Sequence, residues 1–127
     1  MSTLEKTCNN FTPDKVRVRL EQYAIARKRI TYGNLVEDIN GVRGKGHVFQ
    51  RYLRQAFIQI DREDRRCGRP CITAMVVRQD TCNPGMGFYV GKCDMAKMTE
   101  ADLEEFSEQL QELVIAYYAK KDSDTSE

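Results

Sequence analysis

The chain has 127 residues, enough for a single domain with a modest core, and a formal charge of +1 at pH 7. No apolar run is long enough to span a membrane and the N-terminus carries no apolar signal-peptide core, so we expect a cytoplasmic protein with no membrane partner. Its five cysteines are an odd number in a chain without a secretion signal, which predicts reduced thiols.

The charges are divided unevenly along the chain. Residues 12–70 hold 14 Lys and Arg against 7 Asp and Glu, whereas residues 94–127 hold 3 against 10. Charged helices can differ in this way by chance. The alternative, which we favour, is a basic face for an anionic partner and an acidic face for solvent or another protein.

The first 41 residues predict a flexible segment followed by two helices. Residues 1–11 are polar, and Thr12-Pro13-Asp14 combines a capping hydroxyl, a first-turn proline and a carboxylate. A helix is therefore predicted from there to about Arg29, with a core face formed by Val16, Leu20, Tyr23 and Ala24. Thr31 is expected to cap a short second helix that ends at the turn signal Asn40-Gly41.

A cationic, glycine-rich segment at residues 42–47 leads into the helix with the clearest amphipathic pattern. One side of this third helix is apolar: Phe49, Leu53, Ala56, Phe57 and Ile60. The opposite side carries polar and basic residues: His47, Arg51, Arg54, Gln55, Arg62 and Arg65. Ile58 lies among the basic residues and does not fit the pattern, so we expect it to meet the wing or another chain.

The remaining sequence predicts a two-stranded wing and a C-terminal helix. Cys67-Gly68-Arg69-Pro70 ends the third helix, residues 71–78 predict a strand covered on both faces, and Phe88-Tyr89-Val90 predicts its return strand after a turn at Asn83-Pro84-Gly85. A capping box at 99–102 opens the last helix. Its expected core face comprises Leu103, Phe106, Leu110, Leu113, Val114 and Tyr117, which could alternatively form a dimer seam.

This order of elements predicts an α+β fold, a winged helix-turn-helix with an added C-terminal helix. We expect one domain over residues 12–119, preceded by the flexible residues 1–11 and followed by a polar tail at 120–127. The third helix would enter the major groove of duplex DNA. Our candidate nucleic-acid-binding residues are Tyr32, Arg43, Lys45, His47, Arg51, Arg54 and Gln55.

Those candidates have different expected roles. Arg43, Lys45, Arg51 and Arg54 are assigned to phosphates, and either helix arginine could instead bind a guanine edge. His47 and Gln55 are placed near base edges, and Tyr32 near the backbone.

Two other kinds of site are less well supported by the spacing. Four cysteines (Cys67, Cys71, Cys82 and Cys93) include only one short pair, and that pair is wider than a zinc knuckle, so no metal or other cofactor is predicted. A nucleophilic cysteine needs a nearby base, and His47 is distant from every cysteine in sequence. The acids Asp61 and Asp64 are expected to form surface ion pairs in an arginine-rich helix. We therefore predict no enzymatic activity.

Four short segments between about residues 23 and 91 form a recognisable set: Arg29-Ile30-Thr31-Tyr32-Gly33-Asn34-Leu35, Tyr52-Leu53-Arg54, Pro70-Cys71 before Val76-Val77, and Gly87-Phe88-Tyr89. With these segments, about half the chain resembles the winged-helix DNA-binding domain of alkylguanine-DNA alkyltransferases and alkyltransferase-like proteins.

The resemblance implies roles for several residues. The family's tyrosine at the position of Tyr32 helps to turn a nucleotide out of the stack, and an inserted arginine corresponds to His47, beside Lys45. The family's Pro-Cys-His-Arg signature is replaced here by Pro70-Cys71-Ile72-Thr73. Without the histidine, Cys71 is not expected to accept an alkyl group.

Three functional hypotheses therefore remain open. The first is a non-catalytic protein that binds duplex DNA. The second is a protein-binding module, such as an inhibitor, immunity factor or complex subunit. The third, implied by the resemblance, is a sensor of alkylated bases. Under any of these hypotheses we expect a monomer or a homodimer through the C-terminal helix.

Overall fold

The structure, a computed structural model, describes residues 11–41, 46–80, 83–89 and 92–125. It is an α+β arrangement of helices with a small two-stranded parallel sheet. The helices are α1 (Pro13–Ile25), α2 (Tyr32–Asn40), α3 (Gly46–Cys67), α4 (Met86–Tyr89) and α5 (Glu100–Thr125), the strands are β1 (Ile30–Thr31) and β2 (Val76–Val77), and two 3₁₀ turns cover Ile72–Met75 and Met95–Lys97. Among the described helices, none is long and apolar enough to cross a membrane.

The boundaries of α1 and α2 follow local signals. In α1, the predicted core residues Val16, Leu20 and Ala24 are fully buried. The helix ends at Ile25 rather than near Arg29, because Arg27 adopts a left-handed conformation (φ 59°) and the next amide, that of Lys28, bonds back to a carbonyl inside the helix. The predicted Thr31 cap is confirmed, since its hydroxyl accepts the Asn34 amide at 3.2 Å.

The helix α3 carries the centre of the core. Leu53, Ala56 and Ile60 are buried, as predicted, and pack with Leu35 and Val36 of α2. The helix ends at the predicted break, where Gly68 has a positive φ of 69° and the Arg69 amide bonds to the Asp64 carbonyl at 2.8 Å. The side of α3 opposite Leu53, Ala56 and Ile60 is exposed to solvent.

The predicted strand over residues 71–78 is mostly wrong, although its burial is confirmed. Residues 72–77 are all buried, but only Val76–Val77 form a strand, and this strand pairs in parallel with Ile30–Thr31. Side chains of α3 satisfy the polar groups of the preceding 3₁₀ turn: Asp64 accepts the Ile72 amide at 3.1 Å, and Asp61 accepts the Thr73 hydroxyl at 2.6 Å. These groups consequently need no neighbouring strand.

The predicted return strand of the wing is also wrong where it is described. Residues 86–89 form the helical turn α4, in which the Phe88 amide bonds to the Gly85 carbonyl at 3.0 Å; Val90 lies outside the described residues. A strand would point Phe88 and Tyr89 to opposite faces, whereas both are buried in one cluster with Ala74. The described residues therefore contain a parallel pair of strands in place of an antiparallel wing.

The capping box of α5 is confirmed, but its core face is rotated from the prediction. The Thr99 hydroxyl accepts the Asp102 amide at 3.1 Å, and the Asp102 carboxylate accepts the Thr99 amide at 2.9 Å. Of the predicted face, Val114 is buried and Leu103, Phe106, Leu110 and Tyr117 pack partly buried against the core. Leu113 is 56% exposed instead of buried. The buried residues of α5 are Ser107, Gln111, Val114 and Tyr118.

Both ends of the predicted domain extend further than expected. Phe11, assigned to the flexible N-terminal segment, is only 4% exposed and belongs to the main core cluster. Residues 120–125, assigned to the polar tail, continue α5.

Candidate nucleic-acid interface

The three acidic residues of α3 all form ion pairs with cations from other parts of the chain. Asp64 is fully buried and binds Arg17 Nη1 at 2.9 Å and Arg69 Nε at 3.1 Å. Glu63 also contacts Arg17, at 3.3 Å. The expected surface ion pair of Asp64 is thus wrong: its partners come from α1 and from the segment after α3, because the carboxylate lies at the junction of these elements.

Asp61 forms a second inward network. Its carboxylate accepts bonds from Thr73 and from Lys92 Nζ, the latter at 3.1 Å, and both members of the ion pair are largely buried, at 17% and 8% side-chain exposure. The Lys92 ammonium also lies 4.2 Å from the centroid of the Phe88 ring. None of the carboxylates of α3 is therefore available to neutralise cations on its outer face.

Four exposed arginines of α3, which we call the arginine stripe, follow one line along that outer face: Arg51, Arg54, Arg62 and Arg65. Because each residue turns an α-helix by about 100°, all four fall within a sector of about 80°. Within the part of the chain that the structure describes, none of them forms an ion pair. The stripe therefore presents four uncompensated positive charges to solvent.

The sequence-predicted site is described only in part. Arg51 and Arg54 are exposed members of the stripe, and Gln55 is exposed at its edge, where it lines a small open groove with Pro13 and Tyr52. His47 lies in the first turn of α3. Arg43 and Lys45 lie outside the described residues.

Tyr32 has a structural role that the sequence did not predict. Its hydroxyl accepts the Gly85 amide at 3.1 Å, and its ring lies 6.0 Å from that of Phe57, at a tilt of 48°. Burial raises the pKa of Tyr32, and the Gly85 amide and the Arg78 and Arg54 cations partly offset the rise. Tyr32 thus joins α2, α3 and the turn before α4 at a position close to the stripe.

Arg62 and Arg65 were not among the predicted site residues. The signal that could have identified them is their spacing from Arg51 and Arg54, since residues 51, 54, 58, 62 and 65 are three or four positions apart, as residues on one helical face are. The pairing of the α3 carboxylates with Arg17, Arg69 and Lys92 could not be predicted from the sequence pattern of α3, because these partners lie outside the helix.

The environment of Cys71 does not favour a thiolate. Cys71 is half-buried and unpaired, and burial, followed by the nearby Asp61 carboxylate, raises the pKa of its thiol. A nucleophilic cysteine needs the opposite shift. Within the described ranges, no three His, Cys, Asp or Glu side chains converge as metal ligands; Cys8 and Cys82 lie outside those ranges.

Comparison with known proteins adds no relative to this description. No protein-family model matches the chain, and neither curated proteins nor solved structures gave a match. The geometry of the chain itself is consequently the basis for its functional assignment.

Proposed function

We propose that this chain is a non-catalytic protein that binds duplex DNA through the outer face of α3. The observation that carries the proposal is the sorting of charge on this helix: its carboxylates are engaged with Arg17, Arg69 and Lys92, while the arginine stripe has no ion-pair partner among the described residues. Duplex DNA attracts several cations held on one rigid surface, because each phosphate contact releases condensed counterions.

The packing of α2 against α3 also supports the proposal. The two helices share a core, and Gly41, with a φ of 78°, ends α2 before the connection to α3. In a helix-turn-helix, the second helix of such a pair enters the major groove. The outer face of α3 is the face that would lie in the groove.

We extend the proposal to a relationship with the alkyltransferase-like winged-helix domain that concerns its helix-turn-helix part, since the described residues form no antiparallel wing. Two parts of the resemblance lie far apart in sequence: residues 29–35, and Pro70-Cys71 together with Val76-Val77. The parallel pairing of Thr31 with Val77 brings them together beside Tyr32. The raised pKa of the Cys71 thiol supports the non-catalytic part of the proposal.

The test is the affinity of a stripe variant for a labelled random-sequence duplex, measured by fluorescence anisotropy at low salt. Arg51→Ala combined with Arg54→Ala should weaken binding at least tenfold, and should lower the slope of log affinity against log salt by about 2. The matched control is Lys97→Ala combined with Lys120→Ala, which removes the same charge from exposed positions outside the stripe. Equal effects of the two variants would overturn this assignment of the binding face.

A second candidate function, protein binding, is favoured by the surface of α5. Leu113 is 56% exposed, and the exposed Glu105, Glu108 and Glu112 lie on the same helix. Such a surface fits a partner with apolar and basic groups, or a second copy of the chain. Binding to such a partner should depend on Leu113 and on the glutamates of α5 rather than on the stripe. Sedimentation equilibrium of the wild type against Leu113→Asp tests the homodimer.

A further inference from the structure

Ile58 lies at the centre of the arginine stripe. Its side chain is 51% exposed, and the four arginines lie four and seven residues before it and four and seven residues after it. With a rise of about 1.5 Å per residue, the arginines are placed about 6 and 10 Å from Ile58 along the axis in both directions.

The arrangement around the helix is symmetric as well. At about 100° per residue, Arg51 and Arg62 lie about 20° and 40° to one side of Ile58, and Arg65 and Arg54 lie about 20° and 40° to the other. Ile58 is therefore central in both directions, with two cations on each flank.

Single exposed apolar residues are ordinary on protein surfaces. Val18, Ile25 and Leu113 are examples in this chain, and they lie on α1 and α5, outside the stripe. Ile58 differs from them because four exposed arginines, none with an ion-pair partner among the described residues, precede and follow it on the same helical face, while its i−3 and i+3 neighbours are Gln55 and Asp61. A ligand of the stripe would contact Ile58 at the same time.

We propose that Ile58 contacts the 5-methyl group of thymine in the major groove, and so makes this protein favour A·T base pairs at that position. The inference rests on the proposed function, in which the outer face of α3 lies in the groove. The major groove is about 12 Å wide and admits an α-helix. With the stripe facing the groove floor, Ile58 at its centre lies nearest the base edges, and the longer arginine side chains around it extend to phosphates. The thymine methyl is the apolar group that the bases present there.

The test compares two duplexes that differ only in that methyl group. One is a labelled 20-base-pair duplex of alternating dA and dT, and the other has deoxyuridine in place of every thymidine. Because burial of one methyl group changes affinity about fourfold, the wild-type protein should bind the thymine duplex about fourfold more tightly.

Two variants assign the preference to Ile58. Ile58→Ala should bind both duplexes equally. Ile58→Lys should bind both more tightly than the wild type, because it adds a cation to the stripe, and should also lose the preference. Val18→Ala is the matched control, since it shortens an equally exposed apolar residue outside the stripe, and it should keep the wild-type ratio.

The outcomes separate this inference from the proposed function. Salt-dependent binding of the wild type with equal affinity for both duplexes would overturn the role of Ile58 and leave DNA binding intact. A preference that persists in Ile58→Ala would place thymine recognition at another residue and also overturn the inference. Failure of the wild type to bind either duplex at low salt would overturn both, and would favour a protein partner for the stripe.

Discussion

Asp64→Asn should destabilise the protein strongly, because Asp64 joins three elements inside the core. Its carboxylate, with 0% side-chain exposure, binds Arg17, Arg69 and the Ile72 amide at 2.9, 3.1 and 3.1 Å. Asparagine retains the size of the side chain but leaves both guanidinium groups without this charge. Removal of one partner from a buried ion pair costs about 3–5 kcal/mol. Arg17 retains Glu63 at 3.3 Å, so we expect the lower end, about 3 kcal/mol.

The assay is urea unfolding at neutral pH, followed by circular dichroism. With an m-value of about 2 kcal/mol/M, the loss should lower the midpoint by about 1.5 M. Glu63→Gln is the matched control: it removes a charge from the same Arg17, but its side chain is 38% exposed, so the loss should stay below about 1 kcal/mol. A loss below about 1 kcal/mol for Asp64→Asn, or equal losses for the two variants, would refute this account of the junction.

Three further predictions concern stability. Tyr32→Phe should cost about 1 kcal/mol in urea unfolding, because the Gly85 amide loses its acceptor while the ring is kept; an unchanged midpoint would contradict this. Burial raises the pKa of Tyr118 and of Tyr23 to about 12, so the folded state favours the neutral phenols. The free energy of unfolding should therefore stay constant up to about pH 10 and fall between about pH 10 and 12. An unfolding free energy that does not change between about pH 10 and 12 would contradict this prediction. Thr99→Ala should cost about 1 kcal/mol in thermal or urea unfolding, through loss of the α5 cap, whereas full wild-type stability would show that the cap contributes little.

Elements with local signals could be predicted from the sequence. The hydroxyl caps at Thr31 and Thr99 bond to amides three residues away, so a short stretch of sequence contains both partners. The amphipathic pattern of α3 predicted the burial of Leu53, Ala56 and Ile60 for the same reason, since one helix carries the whole pattern.

Elements whose structure depends on residues distant in sequence could not be predicted in this way. Residues 72–75 have the composition of a strand, yet bonds from Asp64 and Asp61 hold them in a 3₁₀ turn. The rotation of α5 has a similar origin: Gln111 is buried because its amide donates to the Ala74 carbonyl at 2.9 Å, a residue 37 positions away. The hydrophobic pattern within α5 contains no information about a contact with Ala74.

The candidate site shows the same division. The basic face of α3, with Arg51 and Arg54, follows from helical periodicity. That Asp61 and Asp64 turn inward, and so leave the stripe uncompensated, depends on Arg17 and Lys92 from other parts of the chain. The position of the basic face is therefore set by the local sequence of α3, whereas its lack of compensating carboxylates is set by contacts with other elements.

The salt dependence of duplex DNA binding tests the central claim most directly. If the four arginines of the stripe each contact a phosphate, log affinity should fall with log salt at a slope of about −3.6, a loss of about a hundredfold between about 50 and 200 mM salt. Binding of this strength and slope is the result that we predict for the wild-type protein. No binding at about 50 mM salt, or an affinity that changes less than about twofold over the range, would contradict the proposed function.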